Sequence, residues 1–155
     1  MKILLIDPSQ RNFAMVTAEY ANGKINPLSW EIVNTGKMSL LESGQEIYKA
    51  LKRNVRGCAF VVSELPQGSL SSAAAGALAL CIGILACIDK PLYTYSPKQV
   101  KSVVTPGASK AAMVQWASKR WPSFSWHYSP RGTITVARNE HLADALAAGE
   151  YHVRN

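Results

Sequence analysis

An apolar run that ends in an acid limits what this chain can become more than any other feature. Ile3, Leu4, Leu5 and Ile6 read as a strand buried on both faces, and Asp7, Pro8 and Ser9 follow at once. A carboxylate at the core end of such a strand costs free energy unless something positive compensates it. The pattern recurs. Cys58 to Ser63 (CAFVVS) is a second apolar-rich strand, and it delivers Glu64 at its C-terminal end. Read singly, Asp7 is an ordinary turn residue and Glu64 a cap for a following helix. Read together, they are two acids brought to the ends of buried strands.

The remaining periodicities predict what surrounds those strands. After Lys2 to Ile6, Phe13 to Glu19 reads as a second strand and Ile25 to Val33, interrupted by Pro27, as a third, joined through Ala21-Asn22-Gly23. Leu40 to Asn54 has a helical pattern, with Lys49, Lys52, Arg53 and Arg56 at its C-terminal end, where the helix dipole favours them. Leu92 to Tyr95 is a short strand, Ser96-Pro97 starts a helix over Lys98 to Val104, and Ser109 caps a helix through Lys119. Trp121 to Arg138 reads as an irregular aromatic and basic loop, after which Asn139 caps a last helix, HLADALAAGEYHV. A β-meander followed by βα units predicts a mixed sheet with helices on its faces.

Length and composition narrow the class. With 155 residues, 48% of them hydrophobic, the expectation is one domain over residues 1–155. The longest apolar stretch, Ser69 to Ile88, is rich in Ala and Gly and lacks basic or aromatic anchors, so it reads as a buried helix rather than a membrane span. Cys58, Cys81 and Cys87 have neither CxxC spacing nor a histidine partner, which argues against structural zinc and for buried reduced thiols in a cytoplasmic protein. The net charge of +7 points toward a polyanionic partner such as nucleic acid.

A third acid joins the first two. Asp144 lies in the Ala/Leu face of the last helix, with His141 at the i, i+3 spacing that makes the two project together. In an open α/β sheet neighbouring strand ends share one edge, where ligands bind. Carboxylates meeting there with an HxxD helix repel one another without a cation, and hard divalent ions such as Mg²⁺ or Mn²⁺ suit that donor set. Glu140 is the nearest competitor, but it points roughly 100° away from His141 on an ideal helix.

The segments LLIDPSQRNFAMV, VVSELP, PKQVKSVVTPGASKAAMVQWA and HLADALAAGEY, spread over nearly the whole chain, resemble the RuvC Holliday junction resolvases. The resemblance implies a ribonuclease H-like α/β fold: a mixed five-stranded sheet with helices on both faces. It implies that Asp7, Glu64, His141 and Asp144 are catalytic and metal-binding residues, and that Lys101 and Lys110 lie near the DNA backbone. Ala14 stands where the family has a glycine after its first motif. Gln67 or Leu70 stands where members place an aromatic near the crossover.

The implied reaction is phosphodiester hydrolysis with two Mg²⁺ or Mn²⁺ ions per active site, leaving a 5′-phosphate and a 3′-hydroxyl. Lys98, Lys101, Lys110, Arg131 and Arg138 are the expected DNA-binding residues. Aromatics interleaved with basic groups, among them His127, suit base stacking; Trp126 and Tyr128 fit that role and the core equally, whereas Trp121 and Phe124 suit the core better. Paired nicks need two sites, so a homodimer is expected, with the Gly/Ala/Ser face of residues 69 to 88 as its candidate interface; a bacterial or phage origin fits equally. Two further readings stand beside this one: a broader branched-DNA or flap nuclease of the same fold, and a non-catalytic junction-binding module. A nucleotide-binding ATPase lobe is disfavoured, because the first turn, DPSQRN, has no glycine.

Overall fold

The computed structural model describes residues 1–65 and 71–155. Gln67 and Leu70 lie outside the described residues. The chain runs β1 (Lys2–Asp7), β2 (Asn12–Ala21), β3 (Lys24–Asn34), α1 (Leu40–Asn54), β4 (Val61–Glu64), α2 (Ser72–Ala86), β5 (Leu92–Tyr95), α3 (Pro97–Lys101), α4 (Lys110–Arg120) and α5 (Val136–Arg154). The five strands form one sheet in the order β3-β2-β1-β4-β5. β1, β2 and β3 pair antiparallel, whereas β1, β4 and β5 run parallel.

Local chemistry accounts for most element ends. Asn22 and Gly23 both adopt positive φ (52° and 68°), which gives the β2–β3 hairpin the turn twist that suits its strands. Pro27 is accommodated because β3 is an edge strand and the β2–β3 register shifts between Thr17 and Ala18. Ser39 and Glu42 form a capping box at α1, Ser96 and Gln99 form one at α3, and Ser109 caps α4 as expected.

The last helix departs from its predicted start. It begins at Val136 with Thr135 at the N-cap, and Asn139 is buried inside it. The Asn139 amide accepts from the His127 backbone N–H and donates to the carbonyls of His127 and Thr135. Its polar side chain thus ties the preceding loop to α5 instead of capping a helix. α2 begins at Ser72 with Ser71 as its cap, α3 stops at Lys101, and β4 begins at Val61 rather than Cys58. Among the described residues no helix is long and apolar enough to cross a membrane. Cys58 and Cys81 are buried free thiols, but Cys87 is exposed because it falls at the end of α2.

Alternation along the central strands splits the core in two. Ile3, Leu5 and Val62 face α4 and α5, while Leu4, Ile6 and Val61 face α1 and α2. The α5 side includes Trp121, Phe124 and Trp126, all less than a tenth exposed. Trp126 is therefore core, and of the loop aromatics Tyr128 is the exposed one. Gly149 lets α5 lie close on the sheet: a Cβ there would stand 2.7 and 2.8 Å from the Leu5 methyls.

Candidate active site

The same alternation places the acids. Asp7 has the parity of Ile3 and Leu5, and Glu64 that of Val62, so both carboxylates stand on the face that α5 covers. β1 and β4 pair in parallel through Ile6 and Ser63, so one step further along the register Asp7 neighbours Glu64 at the C-terminal ends of the strands. On the other side Asp7 pairs with Ala14, whose small side chain leaves that flank open. α5 then crosses above, bringing His141 and Asp144 down onto the pair.

His141 Nδ1 lies 2.6 Å from Asp7 Oδ2. Because the carboxylate can only accept, Nδ1 carries the proton and Nε2 is the nitrogen left for a ligand. The bond to Asp7 is the main reason the His141 pKa is raised, partly opposed by burial. Burial pushes Glu64 up to about 8, with the charges of Asp7 and Asp144 adding to it and Lys101 opposing. Asp144 rises to about 7, first through burial and then through Asp7, while His141 and Lys101 pull it down. The Asp7 charge thus raises both Glu64 and Asp144, and Lys101 lowers both, which places these acids in one electrostatic unit with His141 and Lys101.

That unit suits a hard cation, because its donors are carboxylate oxygens and an imidazole nitrogen, and because bound charge would relieve their mutual repulsion. Among the described residues, no three His, Cys, Asp or Glu side chains stand ready-gathered around a single point. Closing the set on an ion therefore requires Asp7 or its neighbours to turn.

The basic residues separate into groups. Lys101 is half-buried beside the acids. Arg138 is exposed and shares a cavity wall with His141. Lys110 is exposed and pairs with Glu140 at 2.8 Å. Lys98 and Arg131 are exposed. Glu140, set aside in sequence on helical angle, is largely covered, and its Oε1 lies 3.6 Å from His141 Nε2. A long side chain bridges the angular gap between adjacent helix positions, and the helical wheel alone does not reveal this. A further cavity of about 290 Å³, lined by Tyr48, Lys52, Cys87 and Ile88, contains none of these residues.

The fold is shared with Holliday junction resolvases. Thermus thermophilus RuvC in complex with a Holliday junction substrate aligns with a TM-score of 0.74 and 21% identity, over 98% of this chain and 92% of that one. The fowlpox virus resolvase in complex with Holliday junction DNA aligns with a TM-score of 0.63 and 13% identity, over 99% and 97%. No protein-family model matches the sequence, and comparison with the curated proteins finds no relative. The RuvC likeness read from the sequence motifs therefore holds for the fold: the mixed five-stranded sheet is that of the ribonuclease H-like class.

Proposed function

We propose that this chain is an endonuclease that resolves four-way DNA junctions by paired nicks, using divalent cations held by Asp7, Glu64, Asp144 and His141. One observation carries the reading: two carboxylates on adjacent parallel strand ends face an HxxD helix, and burial with mutual repulsion makes Glu64 and Asp144 hold protons near neutral pH. A purely structural core has no use for three acids that destabilise one another, and a cation-binding nuclease does.

Each residue has a task that follows from its place. Asp7 fixes the His141 tautomer through the 2.6 Å bond, so that Nε2 is presented as a ligand or as an acceptor for a water proton. Glu64 and Asp144 give up their protons when a cation arrives, which couples occupancy to pH. Bound there, Mg²⁺ or Mn²⁺ would supply water activation and stabilisation of the leaving 3′-oxygen. Lys101, beside both acids, offers a positive group for the scissile phosphate, and Arg138 extends that charge to the rim. Lys98, Lys110 and Arg131 would contact phosphates farther out. The products would be a 5′-phosphate and a 3′-hydroxyl.

Symmetric resolution requires a second copy. α1 and α2 pack on the opposite side of the sheet and leave Leu41, Tyr48 and Ile82 exposed, together with Ala75, Ala79 and Gly83 of α2. This is the face proposed to meet its counterpart in a homodimer acting on DNA in a bacterial cytoplasm. Both RuvC and the fowlpox resolvase are seen with junction DNA in the complexes named above, which supports that substrate here.

The test is cleavage of a synthetic four-way junction beside linear duplex, three-way and flap substrates, for wild type and Asp7→Asn. Paired, symmetric nicks that need Mg²⁺ or Mn²⁺ and vanish in Asp7→Asn are expected. Equal cutting of flaps and three-way branches would mean a broader branched-DNA nuclease. Tight binding without any cut would leave the junction-binding module.

A further inference from the structure

On the sheet edge beyond Asp7 lies a cavity of about 350 Å³ whose lining includes His141, Arg138, Trp30, His127, Asn12 and Asn34. We propose that it is a nucleotide subsite: it takes one unstacked base of the cut strand, next to the phosphate being cleaved, and so sets where the strand is cut. This inference rests on the nuclease reading above and deepens it by naming what the site grips beside the reacting phosphate.

The walls are built for a base. Trp30 and His127 meet edge to face with ring centroids 4.9 Å apart. Neither ring is loosely held. The Trp30 indole N–H donates to the Ser125 carbonyl at 3.0 Å, and both backbone groups of His127 are tied by the buried amide of Asn139. A fixed aromatic wall stacks any base without an ordering cost, because every base has a π-face. Asn34 Nδ2 donates to Asn12 Oδ1 at 3.0 Å, which orients the two amides against each other. Asn12 Nδ2 and Asn34 Oδ1 are then a donor and an acceptor side by side, the complement that a base edge requires.

The position links this pocket to the chemistry. Arg138 and His141 are three residues apart and share the same wall, and His141 is bonded to Asp7. A phosphate drawn to Arg138 is thereby one helical turn from the catalytic group, and its base has the aromatic wall within reach. A base in this pocket has left its stack, which costs least at an unpaired or branched position. The expected substrate feature is a strand that can splay at the crossover.

The experiment places 2-aminopurine at each nucleotide flanking the cut in a four-way junction, bound by Asp7→Asn so that no strand is lost. One position is expected to change its fluorescence on binding. That change should disappear when Trp30→Leu or Asn34→Ala is added, with junction affinity falling roughly 5- to 100-fold for Trp30→Leu. In otherwise wild-type protein, Asn34→Ala, a change at an exposed position, should spread the cuts over neighbouring phosphates.

Junctions that are bound and cut while both variants leave fluorescence and cut position unchanged would overturn the subsite. If the wild type neither binds nor cuts junctions, the nuclease reading fails instead. The pocket is then decided by whether short single-stranded oligonucleotides quench tryptophan fluorescence in wild type but not in Trp30→Phe.

Discussion

Asp7→Asn should change the stability of the metal-free protein in opposite directions on the two sides of neutral pH. Glu64 is raised from 4.5 to about 8 and Asp144 from 3.8 to about 7. For a group whose folded pKa is raised, the stabilisation is full below the unfolded value and is lost as pH rises through the folded one. The wild type in chelator should therefore weaken as pH rises from about 4 to about 8, with the loss essentially complete at pH 9. For Glu64 the full shift corresponds to about 5 kcal/mol as an upper bound, of which burial is the larger cause. The share that leaves with the Asp7 charge is on the order of 1–3 kcal/mol at an effective dielectric near 20. In a chain of this size 1 kcal/mol moves Tm by roughly 2–4 °C. At pH 9 Asp7→Asn should thus melt several degrees higher than wild type.

At pH 5.5 the balance reverses. Glu64 and Asp144 are protonated, so Asp7 repels nothing, and its bond to the His141 imidazolium is favourable. Losing that charge-assisted bond costs about 1–2 kcal/mol, and the variant should melt lower. The assay is a pair of thermal melts in chelator at each pH, repeated with Mg²⁺ at pH 9, which should raise the wild-type Tm more than that of the variant. A shift of the same sign at both pH values would refute the electrostatic account of the site.

Substitutions at two further positions probe what carries α5. Gly149→Val should cost about 3 kcal/mol by crowding Leu5 and Ile25, both buried; Gly149→Ala should cost less, since Ala returns about 1 kcal/mol of helix propensity. Urea unfolding checks the stability, and a fall in cleavage rate at saturating junction checks that His141 and Asp144 have been moved. Glu150→Gln should cost about 1–2 kcal/mol, because the buried carboxylate holds Arg120 and Arg154 at 3.2 and 2.9 Å, while both arginines are exposed enough to recover water. An unchanged urea midpoint would mean that this triad contributes nothing to docking α4 on α5.

The parts of the site readable in the sequence were those written in strand and helix periodicity. Asp7 and Glu64 stand out because an apolar run buried on both faces makes a terminal acid conspicuous, and parity alone then fixes the face each one takes. His141 and Asp144 follow from i, i+3 spacing. What stayed hidden depends on contacts between segments distant in sequence. Asn139 resembles a helix cap by composition, but its amide is spent on His127, and the helix begins a turn earlier. Trp126 sits in a basic, aromatic loop that resembles a DNA surface, yet its indole N–H donates to the Trp121 carbonyl inside the core. Trp30 and His127 are separated by most of the chain and have no shared pattern until the meander and the α5 approach bring them together.

These long-range contacts and the convergence of the acids have one cause in common. The sheet brings Asp7 and Glu64 to one edge through backbone register, and α5 supplies the opposing residues only because it is pressed against that sheet. The tight approach at Gly149, the Glu150 ion pairs and the Asn139 amide each hold α5 or the loop before it, and none is among the acids themselves. The site raises the free energy of the fold through burial and repulsion of its acids, and the holding contacts along α5 offset that cost. Activity should accordingly be lost by two separable routes. Substitutions at Asp7, Glu64 or Asp144 should abolish the proposed cation binding while leaving the metal-free protein as stable or more stable at alkaline pH. Substitutions at Gly149, Asn139 or Glu150 leave the acids in place but loosen the helix that brings two of the site residues to the strands, so stability and rate fall together.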